Sequence, residues 1–350
     1  MSNNELLRRL KGLSRTVVVH SNTSPYAAAG AMGAAAGRRQ ERGTYFNLSG
    51  AQSYNVHTKS ATEAVNEVAT ANVKVDFKGD WADFLRQQGM AACGLSYDES
   101  RTPEENTLRY LNANRRRVSI APRKVHESHE LNIPQAYRAD YLILKHLIEA
   151  GGDLNPYLSR DIIRKRRPDK NDGLLNSWGI QHLHFRSEGT GHIVLCWITT
   201  TDVYVIQALP HDHDVWVDAD LMQILHNNWS DLLTASRGLP GESWSTAERL
   251  DLRDQNANFT VTTADDTVYL SPGGGLVASG DCLDDRTDCD SIFTELAYWE
   301  DVVRRNATSY RTALGCPTSA DLSIRMRFQD RNCTLHEPTT GTEFSLTSEP

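Results

Sequence analysis

The stretch that most constrains the fold is residues 181–214, in which short connectors separate three runs of strand-forming residues. The runs read QHLHFR from residue 181, GHIVLCWI from residue 191 and VYVIQAL from residue 203. Connectors of this length carry turn residues and leave no room for a crossover helix, so we expect the runs to pair as an antiparallel meander. Five of the twelve histidines of the chain fall within this stretch.

Strand geometry predicts where these histidines lie. Side chains two residues apart point to the same face of a strand, so His182, His184 and Arg186 should be aligned. In an up-down-up meander the end of the first strand, the start of the second and the end of the third meet at one edge of the sheet. Four side chains are expected at this edge: Arg186, His192, His211 and His213. His184 should lie one step below it, and His182 nearer the far end.

Helical and strand-like patterns on both sides of the meander predict the fold class. Apolar residues recur at helical spacing over 76–117, 137–151 and 216–229. Later segments alternate in the manner of strands, over 259–270 and 322–328. The sequence therefore predicts an α+β fold with a mainly helical N-terminal half, a central antiparallel β-meander and a mixed α/β C-terminal part.

Composition divides the chain into four successive parts. Residues 1–75 combine a short amphipathic helix with an Ala/Gly-rich stretch and are predicted to be flexible. Residues 76–170 form a helical region, and residues 171–235 hold the meander and the next helix, which we interpret as the catalytic core. Residues 236–350 form an acidic α+β part, since nine Lys or Arg stand against nineteen Asp or Glu from residue 239 onward.

Charge limits the partners that the chain can recruit. A net charge of −8 argues against the whole molecule as an electrostatic nucleic-acid binder. A basic run precedes the meander, however, and is predicted to contact RNA phosphates, the alternative being a solvated helix end. The run comprises Arg164, Lys165, Arg166, Arg167 and Lys170. The acidic C-terminal part is expected to offer a surface for a protein partner or a second copy.

The cysteines and the apolar runs predict the compartment. Six cysteines include no Cys-x-x-Cys pair, and the sequence shows no signal peptide and no long apolar run. We therefore expect a reduced, cytoplasmic protein that does not associate with a membrane.

The histidines suit phosphodiester chemistry without a cofactor. An imidazole has an ordinary pKa near neutrality, so one histidine of a pair can remove the proton of a 2′-hydroxyl while another protonates the leaving 5′-oxygen. A cation then stabilises the charged phosphorane. His184 or His192 would be one partner and His211 or His213 the other, with Arg186 or Lys170 holding the phosphate. The full set of predicted catalytic residues is His182, His184, Arg186, His192, His211 and His213.

Residues 172–229 resemble the small barnase/RelE-type ribonuclease toxins in layout. In that family a helical lead-in precedes a meander of strands that carry catalytic basic or histidine residues. The resemblance covers about sixty residues and implies a bacterial endoribonuclease of toxin or phage-defence type, with the flanking parts added for regulation or recognition. The runs 121–125, 178–184 and 269–275 resemble uncharacterised bacterial proteins of this length, which assigns no activity.

Two other functions remain open at this stage. The pairs His182/His184 and His211/His213, with carboxylates close by, are also a supply of ligands for a divalent metal, which would make the protein a metal-dependent phosphodiesterase or nuclease. Alternatively, the histidines are structural and the chain is a non-catalytic binding or assembly module.

Overall fold

The computed structural model describes residues 17–20, 72–159, 171–329 and 332–346. Helices and strands are mixed along the described chain, as the α+β class predicts. These residues group into two compact units, one within 85–291 and one made of 17–20, 72–84 and 292–346. The four boundaries drawn from composition stay predictions.

The strands are β1 (Val17–His20), β2 (Val73–Lys74), β3 (Lys124–Glu127), β4 (Ile180–His184), β5 (His192–Ile198), β6 (Asp202–Pro210), β7 (Thr260–Thr262), β8 (Val268–Leu270), β9 (Leu322–Ser323), β10 (Arg325–Gln329), β11 (Asn332–His336) and β12 (Glu343–Leu346). The principal helices are α1 (Phe77–Phe84), α2 (Pro103–Arg115), α3 (Arg138–Glu149), α4 (Gly173–Trp178), α5 (Asp220–Trp229), α6 (Thr246–Asp254), α7 (Leu283–Arg305) and α8 (Ala307–Ala313).

A four-stranded sheet with the order β3-β6-β5-β4 organises the first unit. Strands β4, β5 and β6 pair antiparallel, which is the connectivity that the short connectors predict. The register sets His184 opposite Ile193 and His192 opposite Pro210. Strand β3 adds to the free edge of β6 in the parallel direction, a pairing that the sequence did not reveal.

Both faces of this sheet are buried. On one face, side chains of the meander pack with α4 and α5; they include Ile180, Ile193, Leu195 and Ile206. On the other face a second set packs with α3; it includes Leu183, Val194, Val203 and Val205. Every residue of β4 is consequently buried. Since a shift of one residue would exchange the two faces, this double burial determines the register.

Local signals begin and end the helices that lead into the sheet. Thr102 and Glu105 form a capping box at the start of α2. The Asp172 side chain accepts a hydrogen bond from the Leu175 backbone at the start of α4. That helix ends at Gly179, whose φ of 72° is the left-handed conformation that glycine adopts without strain. A Cβ at this position would also lie 2.9 Å from the Trp197 ring, so glycine fits here on both counts.

The second unit contains its own antiparallel sheet, in the order β1-β12-β11-β10, and a short parallel pair of β2 and β9. Helix α1 packs on β10, where the Trp81 and Phe328 rings meet edge to face at 5.1 Å. The buried Asp80 carboxylate accepts hydrogen bonds from the Met326 backbone and the Arg325 guanidinium. None of the described helices combines the length and the apolar content that crossing a bilayer requires.

We expect Leu195→Ala to lower the free energy of unfolding by about 2–5 kcal/mol, because Leu195 is fully buried between the sheet and its helices and truncation leaves a cavity. Leu142→Ala is the matched control, since Leu142 is 66% exposed. Urea unfolding of both variants measures the difference. Equal stabilities for the two variants would contradict the buried position of β5.

Candidate functional site

Three histidines of the first unit converge on one side of the sheet. His182 and His184 lie two residues apart on β4, and His211 follows the last residue of β6. The ring centroids are 6.0 Å apart for His182 and His184, 5.8 Å for His182 and His211, and 5.3 Å for His184 and His211. One ring nitrogen from each side chain lies within 4.8 Å of the others. We call these three residues the histidine cluster.

Strand pairing explains why residues so distant in sequence meet. His184 lies opposite Ile193 on β5, which in turn lies opposite Leu209 on β6. His211 is two residues beyond Leu209 and thus continues on the same face. A hydrogen bond of 2.9 Å from the His211 backbone N–H to the Gly191 carbonyl holds the segment in place.

His182 lies closer to the others than the sequence interpretation placed it. We expected this residue nearer the far end of the sheet. That expectation is wrong, because two residues on one face of a strand are separated by only about 7 Å. The imidazole of His211 therefore reaches His182 as well as His184.

Trp216 closes one side of the histidine cluster. It belongs to a 3-10 turn (Asp214–Val217) that follows β6, and its ring lies 5.0 Å from His182 and 5.3 Å from His211. Sequence reasoning did not single out this residue. The one sequence signal that could have placed Trp216 beside the cluster was its position five residues after His211.

A backbone hydrogen bond sets the proton position of His184. The Thr190 N–H donates to Nδ1 of His184 at 3.0 Å, so in the neutral ring the proton is on Nε2. The Thr190 hydroxyl donates to the His192 carbonyl at 2.5 Å, which keeps the connector in place. His184 is therefore a hydrogen-bond donor through Nε2.

Burial determines the state of His182. Its side chain is only 8% exposed, and desolvation lowers its pKa below the ordinary value of 6.5. The Asp172 charge opposes this shift, whereas His211 and Arg116 reinforce it. Nε2 of His182 has no hydrogen-bond partner among the described residues. This ring is thus neutral at pH 7, while His211 is exposed to solvent.

Arg186 and His192 do not join the cluster, which corrects the expectation of a shared edge. The Arg186 guanidinium donates two hydrogen bonds, of 2.7 and 2.9 Å, to the Asp140 carboxylate on α3. The His192 ring lies 5.3 Å from the Tyr137 ring, which itself stacks on Phe185 at 4.7 Å. Phe185 belongs to the core on the α3 face. The two predicted residues therefore lie on the opposite side of the sheet.

The remaining predicted residues have no established place in the cluster. His213 is exposed at the residue before the turn that carries Trp216. The basic run of Arg164, Lys165, Arg166, Arg167 and Lys170 lies outside the described residues.

Comparison of the chain with protein-family models, with curated proteins and with solved structures finds no match.

His182 predicts a pH dependence of stability. The folded-state pKa is lowered, so the unfolded chain binds more protons below pH 6.5, and the free energy of unfolding should fall as the pH drops through that range. His182→Gln removes this group and should reduce the stability lost between about pH 7.5 and about pH 5.5. His213→Gln, at an exposed site, is the control and should lose as much as the wild type. Urea unfolding at the two pH values measures the losses, and an unchanged loss in His182→Gln would contradict a buried neutral ring.

Proposed function

We propose that the histidine cluster is the catalytic centre of a bacterial endoribonuclease, of the toxin or phage-defence type that the layout of residues 172–229 implies. One observation carries the proposal: three imidazoles converge, while a backbone N–H fixes the tautomer of His184 and burial lowers the pKa of His182. Neighbouring titratable groups with separated roles are the arrangement that acid/base chemistry at neutral pH requires.

Each member of the cluster has a role in strand cleavage. His211, the exposed member, accepts the proton of the 2′-hydroxyl as that oxygen attacks phosphorus. Nε2–H of His184 donates a hydrogen bond to a phosphoryl oxygen as negative charge develops there. The leaving 5′-oxygen takes a proton from water beside the exposed His211, and His211 returns its proton to the hydroxide that is formed, which restores the starting state. His182 and Trp216 position the His211 ring through the contacts described above.

The partners and the location follow from the same proposal. RNA is the substrate, and the basic run of Arg164, Lys165, Arg166, Arg167 and Lys170 contacts its phosphates. The acidic part, residues 236–350, binds a protein partner or a second copy. The enzyme acts in the cytoplasm, where its substrate is found.

Substitution of His211 tests the proposal. We expect His211→Ala to slow RNA cleavage by about two to four orders of magnitude, the usual contribution of a positioned proton-transfer group. His213→Ala, two residues away and exposed, should cleave at the wild-type rate. The products should end in a 2′,3′-cyclic phosphate, the all-deoxy strand should stay intact, and a strong chelator should have no effect. Gel analysis of end-labelled RNA and all-deoxy strands measures all five outcomes.

Two results would contradict a metal-free ribonuclease. One is equal cleavage by the wild type and His211→Ala, during phage infection as well as with purified protein. The other is cleavage of the all-deoxy strand. Absence of cleavage by every variant under both conditions would favour a binding or assembly module in which the histidines are structural.

A specific observation also supports a second candidate, metal-dependent hydrolysis. Three ring nitrogens lie within 4.8 Å of one another, and Nε2 of His182 is neutral and without a partner among the described residues. Catalytic zinc is often held by three histidines with water at the fourth position. Against this candidate, the lone pair of His184 at Nδ1 already accepts the Thr190 N–H. A metal would have to displace that bond or remove the Nε2 proton.

Metal content separates the two candidates. If the second is right, the wild type dialysed against Zn²⁺ should retain about one ion per chain and His182→Gln should retain none, because three ligands are needed for tight binding. His213→Gln should keep the ion. Elemental analysis measures the ratio. Equal zinc in the wild type and His182→Gln would rule out a metal centre at the cluster.

A further inference from the structure

The outer side of α3 carries a stripe of mainly apolar residues that face solvent. The inner side of this helix packs on the sheet through Tyr141, Leu144 and Ile148. Residues three, four, seven and eleven positions apart share one face of a helix. On the outer side, exposed residues at this spacing are Ala139, Leu142, Ile143, His146 and Ala150. We call these five residues the outer stripe.

Leu142 and Ile143 form the centre of the outer stripe. Leu142 is 66% exposed and Ile143 is 62% exposed, so two large aliphatic side chains meet water next to each other. Adjoining apolar groups of this kind are typical of a contact surface. The small side chains of Ala139 and Ala150 lie on either side of the pair and leave room for the backbone of another helix to approach.

The charges at the two ends of α3 are placed against the helix dipole. Arg138 is the first residue of the helix and Glu149 is the last, and both are exposed. A cation is disfavoured at the start of a helix and an anion at its end. Neither side chain forms an ion pair within the described part of the chain. The helix itself therefore gives no stabilising role to either charge.

An antiparallel second copy of α3 would pair these charges. Arg138 and Glu149 are eleven residues apart, so they lie on the same side of the helix but about 16 Å from each other along its axis. With a two-fold axis between Leu142 and Ile143, Arg138 of one copy comes within about 3 Å, along the axis, of Glu149 of the second copy. A parallel copy would instead bring like charges together.

We propose that α3 forms the contact of a symmetric dimer of this chain, in which two α3 helices pack antiparallel through the outer stripe and Arg138 of each copy pairs with Glu149 of the other. One helix from each copy makes a small interface, so the dimer is weak and forms as the chain concentration rises. Unfolding of Leu142→Ala at dilute chain concentration consequently reports the monomer.

The dimer goes beyond the proposed catalysis and does not depend on it. Helix α3 covers one face of the sheet, whereas His182 contacts Trp216 on the face that packs with α5. A second copy on α3 therefore leaves the histidine cluster accessible.

Analytical ultracentrifugation of the full chain, over a wide range of chain concentration, tests the apolar part of the contact. We expect the wild type to dimerise as the concentration rises. Ile143→Lys should weaken the dimer about tenfold or more, because it brings two like charges to the centre of the contact. Leu239→Lys is the matched control, since Leu239 is 42% exposed and lies in the loop before α6. This variant should dimerise as the wild type does.

Exchange of the end charges tests the antiparallel arrangement. Arg138→Glu and Glu149→Arg should each weaken the dimer about tenfold, because two attractive pairs become two repulsive ones. An equimolar mixture of the two variants should dimerise as the wild type does, since every pair is again of opposite sign. Each substitution agrees with the helix dipole, so α3 should remain folded, which circular dichroism checks.

Three results would overturn the proposal. The first is a wild type that stays monomeric at every concentration, which would leave the outer stripe to a different protein. The second is equal dimerisation of Ile143→Lys and Leu239→Lys, as expected of a dimer formed through the acidic part, residues 236–350. The third is a mixture of Arg138→Glu and Glu149→Arg that dimerises no better than either variant alone.

Discussion

Burial of both faces of the sheet β3-β6-β5-β4 is the constraint on which the rest of the first unit depends. Alternate residues of β4 face either α5 or α3, and apolar side chains fill both cores. A slip of one residue would drive His182 and His184 into the α3 core and turn Leu183 toward α5. The position of the two histidines therefore follows from the packing of their apolar neighbours, and no histidine contact is needed to specify it.

The chemistry of the cluster comes from its surroundings more than from its residue types. Three histidines of the same intrinsic acidity become different groups, because Thr190 directs a backbone N–H at one ring and burial withdraws another from water. His211 is exposed to solvent. The Thr190 N–H and the burial of His182 thus give identical side chains different surroundings. Proteins commonly adapt one functional group in this way.

Short-range patterns in the sequence predicted the parts of the site that depend on short-range structure. Two connectors of a few residues predicted the pairing of β4, β5 and β6, and that pairing brings His184 to His211. The predicted place of Arg186 beside the histidines was wrong. Strand β4 ends at His184, and the Arg186 side chain binds Asp140, which lies 46 residues earlier on α3. No local pattern reports such an ion pair.

The parallel strand β3 has a consequence for the order of folding. Strands β4 to β6 are joined by connectors of a few residues, so loop closure costs little entropy and these hairpins form on the fast timescale of local contacts. Val125 instead pairs with Val203 across 78 positions of sequence, and long-range parallel pairing is intrinsically slow. The histidine cluster needs only the three local strands. It can therefore assemble before β3 docks. Until β3 docks, the edge of β6 is open, and an open strand edge is a site of mispairing with other chains.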